Sequence, residues 1–391
     1  MIRSFIMIIG VFAVVFSFDC SYSEEVPFDS EHWDIKAAVS KFGNHLGKEC
    51  LFFKNGTALV KDSEFKNGII EFDVTFRELR GFVGVLWRAE DKDNNERFYI
   101  RPHQSGNPDA VQYTPVFHGV SGWQLYHGAG YNARFKPRFN EWMHVKILVS
   151  DEKADVYVDN MNTPVLVINA LKHGIKSGRL GVSAFGEYVG AHFANFKYTR
   201  QNNPPLVPRS TEEKKNSPGI IKNWEVSEAF DEKILNDKLT LSENDTKKIT
   251  WKKITSEPDG IVNISRLQSF VPDYRETLSE SAFAELDHYI KPQNCAFAKT
   301  AIISDNDQIK ELAFGFSDRV KVYLNGQLIY SGNNTYKSRD YRFLGTMGLF
   351  DSLYLPLKKG ENELLMAVTE ESGGWGLQTN FRDMKGISFR K

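Results

Sequence analysis

The sequence predicts an all-β chain made of two antiparallel β-sandwich (jelly-roll) domains joined by a Pro-rich linker. Three observations carry this. Apolar and polar residues alternate with period two, most plainly where Ile70, Phe72, Val74 and Phe76 share one face and Glu71, Asp73 and Thr75 the other. Short strand-like runs follow one another between Gly, Pro and Asn turns, in a chain carrying 29 Phe, 15 Tyr and 7 Trp. The stretch 202–219 (NNPPLVPRSTEEKKNSPG) is rich in Pro and charge and poor in apolar residues, as an extended linker is.

In chain order, residues 1–23 read as a secretory signal peptide. Arg3 gives the positive start, an apolar run covers 5–18, and Ser21 and Ser23 are small residues preceding a cut before Glu24. A membrane anchor is the alternative, but the run is shorter than the roughly 20 residues a spanning helix needs. Residues 24–201 then form the first sandwich, 202–219 the linker and 220–391 the second sandwich. Each half, at roughly 170 residues, is long enough to bury about 70% of its unfolded surface.

Residues 34–42 suggest one short helical turn. Runs 50–54 and 57–61 flank Asn55-Gly56, a two-residue hairpin signal. Strands are expected at 69–76, 82–88, 97–101, 110–115, 123–127, 143–150, 154–159, 165–168, 179–184 and 191–198. The second half suggests strands at 250–254, 260–267, 296–303, 311–316 and 319–324. Asn325-Gly326 turns the chain into 327–330, Lys359-Gly360 joins 351–357 to 361–370, and 375–380 ends the set. No short-period repeat is present, which argues against solenoids and propellers.

Charge bounds the partners. Lys and Arg number 49 against 50 Asp and Glu, so the chain as a whole has no polyphosphate-binding footprint and nucleic acid is not the expected partner. Leader cleavage would leave Cys50 and Cys295, one in each half, read as two buried thiols. The sequons at Asn55, Asn244, Asn263 and Asn333 matter only in a glycosylating host.

The motifs FKNGIIEFDVTF, GFVGVLWRAED, NEWMHVKILVSDEKADVYVDN and EYVGAHFANFKY carry a resemblance in the first half. It resembles the concanavalin A-like lectin/glucanase fold, and within it laminin-G-like and 3-keto-disaccharide-hydrolase-like modules. SDRVKVYLNGQLIYSG and LPLKKGENELLMAVTEESGGWGLQ resemble the paired hairpins of galactose-binding-like jelly-roll modules in the second half. These resemblances imply architecture; modules of the galactose-binding-like kind bind glycans in some proteins and act only as spacers in others.

The laminarinase-type hydrolases of that fold place three acids on one strand. Retaining hydrolysis needs a nucleophile and an acid/base about 5 Å apart. Here Glu71 and Asp73 fill two positions, while the third is Thr75 or Phe76, and Glu78 comes too late. No catalytic residue is therefore assigned; an enzyme would use Glu71 and Asp73. The 3-keto-disaccharide-hydrolase-like alternative would draw on Glu71, Arg88, Arg101, His103 and Asp109.

Sugars are held by aromatic faces and by polar groups reaching hydroxyl pairs. The expected binding residues are Arg88, Tyr99, Arg101, His103, Asp109, Gln112, Tyr113, Trp123, Gln124, Tyr126 and His127, with burial as the competing explanation for the aromatics. In the second half Asp318, Arg339, Asp340, Arg342, Trp375 and Gln378 are candidates for ligand binding or for docking the halves together. His103, His118 and His127 lack metal-ligand spacing, so no transition-metal site is assigned. A structural Ca²⁺ at residues 91–95 (DKDNN) is the one cofactor reading left open, beside that of a solvated turn. The expected function is a secreted or surface carbohydrate-binding protein without its own catalysis. The alternatives are a glycoside hydrolase-like enzyme and a cell-surface protein-interaction module.

Overall fold

A computed structural model describes residues 22–186, 188–209, 217–272 and 291–390. Nearly all of the expected leader therefore lies outside the described residues.

The first half contains β1 (Tyr22–Glu25), β2 (Trp33–His45), β3 (Lys48–Val60), β4 (Gly68–Phe76), β5 (Phe82–Ala89), β6 (Asn95–Ile100) and β7 (Val111–Phe117). It continues with β8 (Val120–Ser121), β9 (Asn132–Ala133), β10 (Met143–Ser150), β11 (Lys153–Val158), β12 (Leu166–Ile168), β13 (Arg179–Phe185) and β14 (Gly190–Arg200). Every pairing between them is antiparallel, in the order β12-β11-β10-β4-β14-β3-β13-β5-β6-β7-β8, with β1 on β14, β2 on β3 and β9 on β7. The ladder folds over a core in which Leu51, Phe53, Ile70, Phe72, Trp87, Val145, Val182 and Phe193 are buried.

The fold-over happens at Asn55. Residues 51–54 of β3 pair with β14 and residues 56–59 pair with β13, while β2 follows β3 throughout. This corrects two expectations. Asn55-Gly56 is no hairpin: Asn55 takes φ of 51° inside one continuous strand, and a Cβ on Gly56 would stand 2.4 Å from the Ala37 Cα. The readiness of Asn-Gly for positive φ kinks a strand here instead of reversing it. Residues 34–42, expected as a helical turn, lie within β2, where pairing to β3 overrides a weak local preference.

The second half contains β15 (Asn223–Ser227), β16 (Trp251–Thr255), β17 (Ile261–Asn263), β18 (Cys295–Ser304), β19 (Gln308–Ser317) and β20 (Arg319–Leu324). β21 (Gln327–Asn333), β22 (Asp351–Leu357), β23 (Gly360–Thr369), β24 (Gly376–Phe381) and β25 (Ile387–Phe389) complete it. Two antiparallel sheets, β16-β15-β18-β23-β20-β21 with β25 on β18, and β17-β24-β19-β22, enclose Trp224, Phe314, Phe316, Met366 and Trp375. Asn325-Gly326 makes the expected hairpin, with Asn325 at φ 49° and Gly326 at φ 78°. Cys50 and Cys295 are buried and unpaired.

Residues 202–209, expected as free linker, are coil that straps onto the first half. The Val207 N–H and the Arg209 guanidinium bind the fully buried Asp155 carboxylate at 2.7 and 2.6 Å. The remainder of the expected linker, 210–216, lies outside the described residues. Among the described residues no helix is long and apolar enough to cross a membrane.

Candidate functional site

The expected sugar-binding run of the first half is largely interior. Arg88, Tyr99, Arg101, Gln112, Tyr113, Gln124 and Tyr126 are buried, and His103, Asp109, Trp123 and His127 are half-buried. Their hydrogen bonds explain the burial. Arg101 donates to the Asp109 carbonyl, Tyr99 Oη and Gln112 Oε1 at 2.5, 3.1 and 2.8 Å, with its guanidinium over the Trp123 ring. Tyr113 Oη donates to the buried Glu96 carboxylate at 2.6 Å, and His103 Nδ1 faces the Gly81 N–H. Arg88 is enclosed by four acceptors. Arg88, Tyr99, Arg101, Gln112, Tyr113, Gln124 and Tyr126 are thus held inside by protein partners, as the competing burial reading of the aromatics expected, while His103, Asp109, Trp123 and His127 stay partly exposed.

Residues 123–127 are also not a strand. They form a turn on Gly122 that inserts into the second half. Gln124 donates through Nε2 to the Leu344 carbonyl and accepts from Ser317 Oγ, while its backbone meets Gly373 and Met347. Gly373 sits at φ 96° with space for no Cβ, which would fall 2.2 Å from Gln124 Oε1. His127 Nε2 donates to the Met347 carbonyl, Tyr126 Oη bonds Glu257, and Lys172 pairs with Glu257 at 2.5 Å. Polarity that reads as ligand-binding in the sequence serves here to seat one half on the other.

In the second half Asp318 and Trp375 are fully buried beside that contact, and Gln378 binds the Asp259 carbonyl. Arg339 pairs with Asp351 and Arg342 with Asp340, both at the surface. The DKDNN run closes on itself: Asp91 accepts from the Asp93 N–H and from Asn94, and Asp93 pairs with Lys92. Among the described residues no three His, Cys, Asp or Glu side chains converge as a metal site would require.

A polar face does exist, on the outward side of the β2-β3-β14-β4-β10-β11 sheet, and Glu71 and Asp73 lie at its centre. Strand register builds it. His144 of β10 stands opposite Asp73, and Lys146 opposite Glu71 on one side and Tyr157 on the other. His192 of β14 stands opposite Thr75 and Phe52, and Lys41 of β2 opposite Phe52. A bulge between Ala194 and Lys197 turns Asn195, at φ 52°, toward Asp73.

The charges on this face are paired through hydrogen bonds. His144 reaches Asp73 Oδ1 at 2.7 Å with Nδ1 and Glu71 Oε1 at 3.3 Å with Nε2, so both ring nitrogens donate. Lys48 Nζ and Asn195 Nδ2 each donate to Asp73 Oδ2 at 2.6 Å, and Lys197 lies 3.4 Å from Glu71. Burial opposes ionisation of Asp73, but the bonds from His144, Lys48 and Asn195 outweigh it and bring its pKa down to about 2. The His144 bond, helped by Lys197, lowers Glu71 against its own desolvation. The two carboxylates push His144 up to about 9.

Beside this network lies a ring-lined cleft. His45 and His192 stack with centroids 3.8 Å apart, Phe52 lies 4.7 Å from His192, and Trp142 meets His45 edge-on at 6.1 Å. Burial and the His45 ring lower His192 to about 4, so it is neutral near pH 7 and offers one donor and one acceptor. A cleft of about 300 Å³ is lined by Lys41, Gly43, Asn44, Cys50, Phe52 and His192.

NMR titration checks the network. The His144 imidazole is expected to titrate near pH 9, and Asp73→Asn to bring it down toward 6.5. The His144 contribution to stability is fully present below 6.5 and lost as pH rises through about 9. That of Asp73 is present above 3.8 and lost as pH falls through about 2. A wild-type His144 titrating at 6.5 would contradict the geometry.

No protein-family model matches the chain, and no curated protein matches it. Among solved structures it is similar to a carbohydrate-binding module, CBM66, from Bacillus subtilis, at 16% identity and TM-score 0.33 over 44% of this chain and 99% of that one. A β-glucanase of Bacillus licheniformis gives 13%, TM-score 0.31, and 46% and 98% coverage. A laminarinase from a Flavobacterium species gives 13%, TM-score 0.32, and 46% and 99% coverage. At these identities and scores the likenesses assign no activity.

Proposed function

We propose that this chain is a secreted carbohydrate-binding protein whose binding surface is the outward face around Glu71, Asp73, Trp142 and His192, and that it does not cleave its ligand. One observation carries the reading: both central carboxylates are tied to cations. Glycoside hydrolysis needs a neutral carboxylic acid, raised in pKa, to protonate the leaving oxygen. Glu71 and Asp73 are shifted the other way, by His144, Lys48 and Lys197. The network instead fixes a rigid row of donors and acceptors beside four aromatic or imidazole rings, which suits the hydroxyl and C–H faces of a sugar.

Affinity electrophoresis of the full chain against a panel of soluble glycans tests this. Trp142→Ala and His192→Ala should each weaken retention about five- to tenfold, whereas Trp123→Ala, behind the Arg101 network, should leave it unchanged. No reducing sugar should appear. Release of reducing sugar, abolished by Glu71→Gln, would establish the hydrolase reading in its place.

A further inference from the structure

We propose that the ligand of this face is an acidic glycan, one carrying carboxylate or sulfate groups; this rests on the binding reading above and specifies its substrate class. The argument begins with which charges share the surface. Register places Lys41 of β2, Lys48 and Lys54 of β3, Lys197 of β14 and Lys146 of β10 on the same outward side as Glu71 and Asp73. His144 adds a sixth cation, since both its ring nitrogens donate to carboxylates. Of the acids nearest this row, Asp155 lies on the same outward side as Tyr157 and is bound there by Arg209 of the 202–209 strap. At the loop edge, Asp159 and Glu141 are both bound by Arg138. Six cations therefore share this side with Glu71, Asp73 and the edge acid Glu25, which stands opposite Lys197, in a chain whose overall charge is −1.

The surplus is positioned as well as counted. Lys48 and Lys197 and the imidazolium satisfy Asp73 and Glu71. Among the described residues Lys41, Lys54 and Lys146 have no carboxylate within ion-pair distance; Lys146 lies over the Tyr157 ring at 4.8 Å. Lys41 lines the cleft together with Phe52 and His192, while Lys146 stands opposite Glu71 on β10. A saccharide stacked on Phe52, His192 and Trp142 would thus meet an unpaired ammonium on either side of its path. Unpaired cations beside aromatic rings favour a ligand that supplies the anions. A neutral glycan would leave that potential unmatched.

Affinity electrophoresis and fluorescence titration of the full chain, with polygalacturonate (carboxylate only) and dextran sulfate (sulfate only) against neutral laminarin and levan, test the proposal. Either acidic polymer should bind at least tenfold more tightly than the neutral ones. Its affinity should fall about tenfold between 50 and 500 mM NaCl, as screening of a few surface charges requires. The double variant Lys41→Gln/Lys146→Gln should lose that preference while keeping the wild-type melting temperature. The two acidic polymers separate carboxylate from sulfate recognition. Tight, salt-insensitive binding of the neutral glycans alone would overturn the acidic-ligand inference and leave the binding reading standing. Binding of no glycan at all would overturn both. Duplex DNA binding as tightly as the acidic glycans would also overturn it, since the face would then be a general polyanion surface.

Discussion

Replacing Arg88 with alanine should lower the unfolding free energy by about 3 kcal/mol or more, measured as a fall in the denaturant midpoint at constant slope. The guanidinium has no exposure to solvent. It donates to the Lys66 and Gly174 carbonyls at 2.9 and 2.8 Å and, through Nη2, to Asn67 Oδ1 and the Asp151 carbonyl at 3.0 and 2.6 Å. One side chain thus joins the lead into β4, the β10-β11 turn and the loop before β13. Alanine would leave four acceptors without this donor, the buried Asn67 Oδ1 and three part-buried carbonyls, each costing about 1–3 kcal/mol where water cannot reach it. Arg88→Lys should recover little, because an ammonium cannot span the forked geometry. Glycan affinity should be unchanged wherever the variant remains folded. Unchanged stability with lost glycan binding would restore Arg88 to the ligand site, where its sequence context first suggested it.

The second large effect is expected at the contact between the halves. Asp318 and Glu370 are both buried there, and Glu370 Oε2 has no hydrogen-bond partner. Burial pushes Asp318 up to about 7, against the N–H groups of Glu371 and Ser372 that favour its charge. Burial, then the Asp318 charge, raises Glu370 well above its ordinary value. Both groups hold protons more tightly in the folded state: the Asp318 contribution is fully present below pH 3.8 and is lost as pH rises through about 7, and that of Glu370 is likewise lost as pH rises above its ordinary range. Glu370→Gln keeps an oxygen for the Gly374 N–H and removes the ionisable group. It should raise stability by about 1–2 kcal/mol at pH 8, roughly 2–8 °C in Tm, and change it little at pH 4. A variant no more stable than wild type at pH 8 would show that the acid pair is relaxed by water.

The candidate face was half legible in the sequence. Glu71 and Asp73 stood out because they alternate with Ile70, Phe72 and Val74. His144 and Lys146 alternate in the same way with Met143, Val145 and Ile147, and that pattern could have marked them as the facing row. Nothing local marked Lys48 or Asn195. They reach Asp73 across 25 and 122 residues of chain, one at a hairpin end and one on a bulge. The run 123–127 misled for a related reason. Its Trp, Gln, Tyr and His side chains fit a sugar site and a polar internal seam equally well, and only their partners, Leu344, Ser317, Met347 and Glu257, separate the two.

The sequence by itself determined that the chain is all β, where most strands lie, and that one strand carries two acids without a third. Those properties depend on a two-residue period and on turn chemistry, both readable within ten residues. The tertiary structure alone decided that Asn55-Gly56 bends a strand, that the aromatic run is an internal seam, and that Glu71 and Asp73 are charge-paired. Register across strands distant in sequence sets which side chains meet, and meeting groups set one another's ionisation.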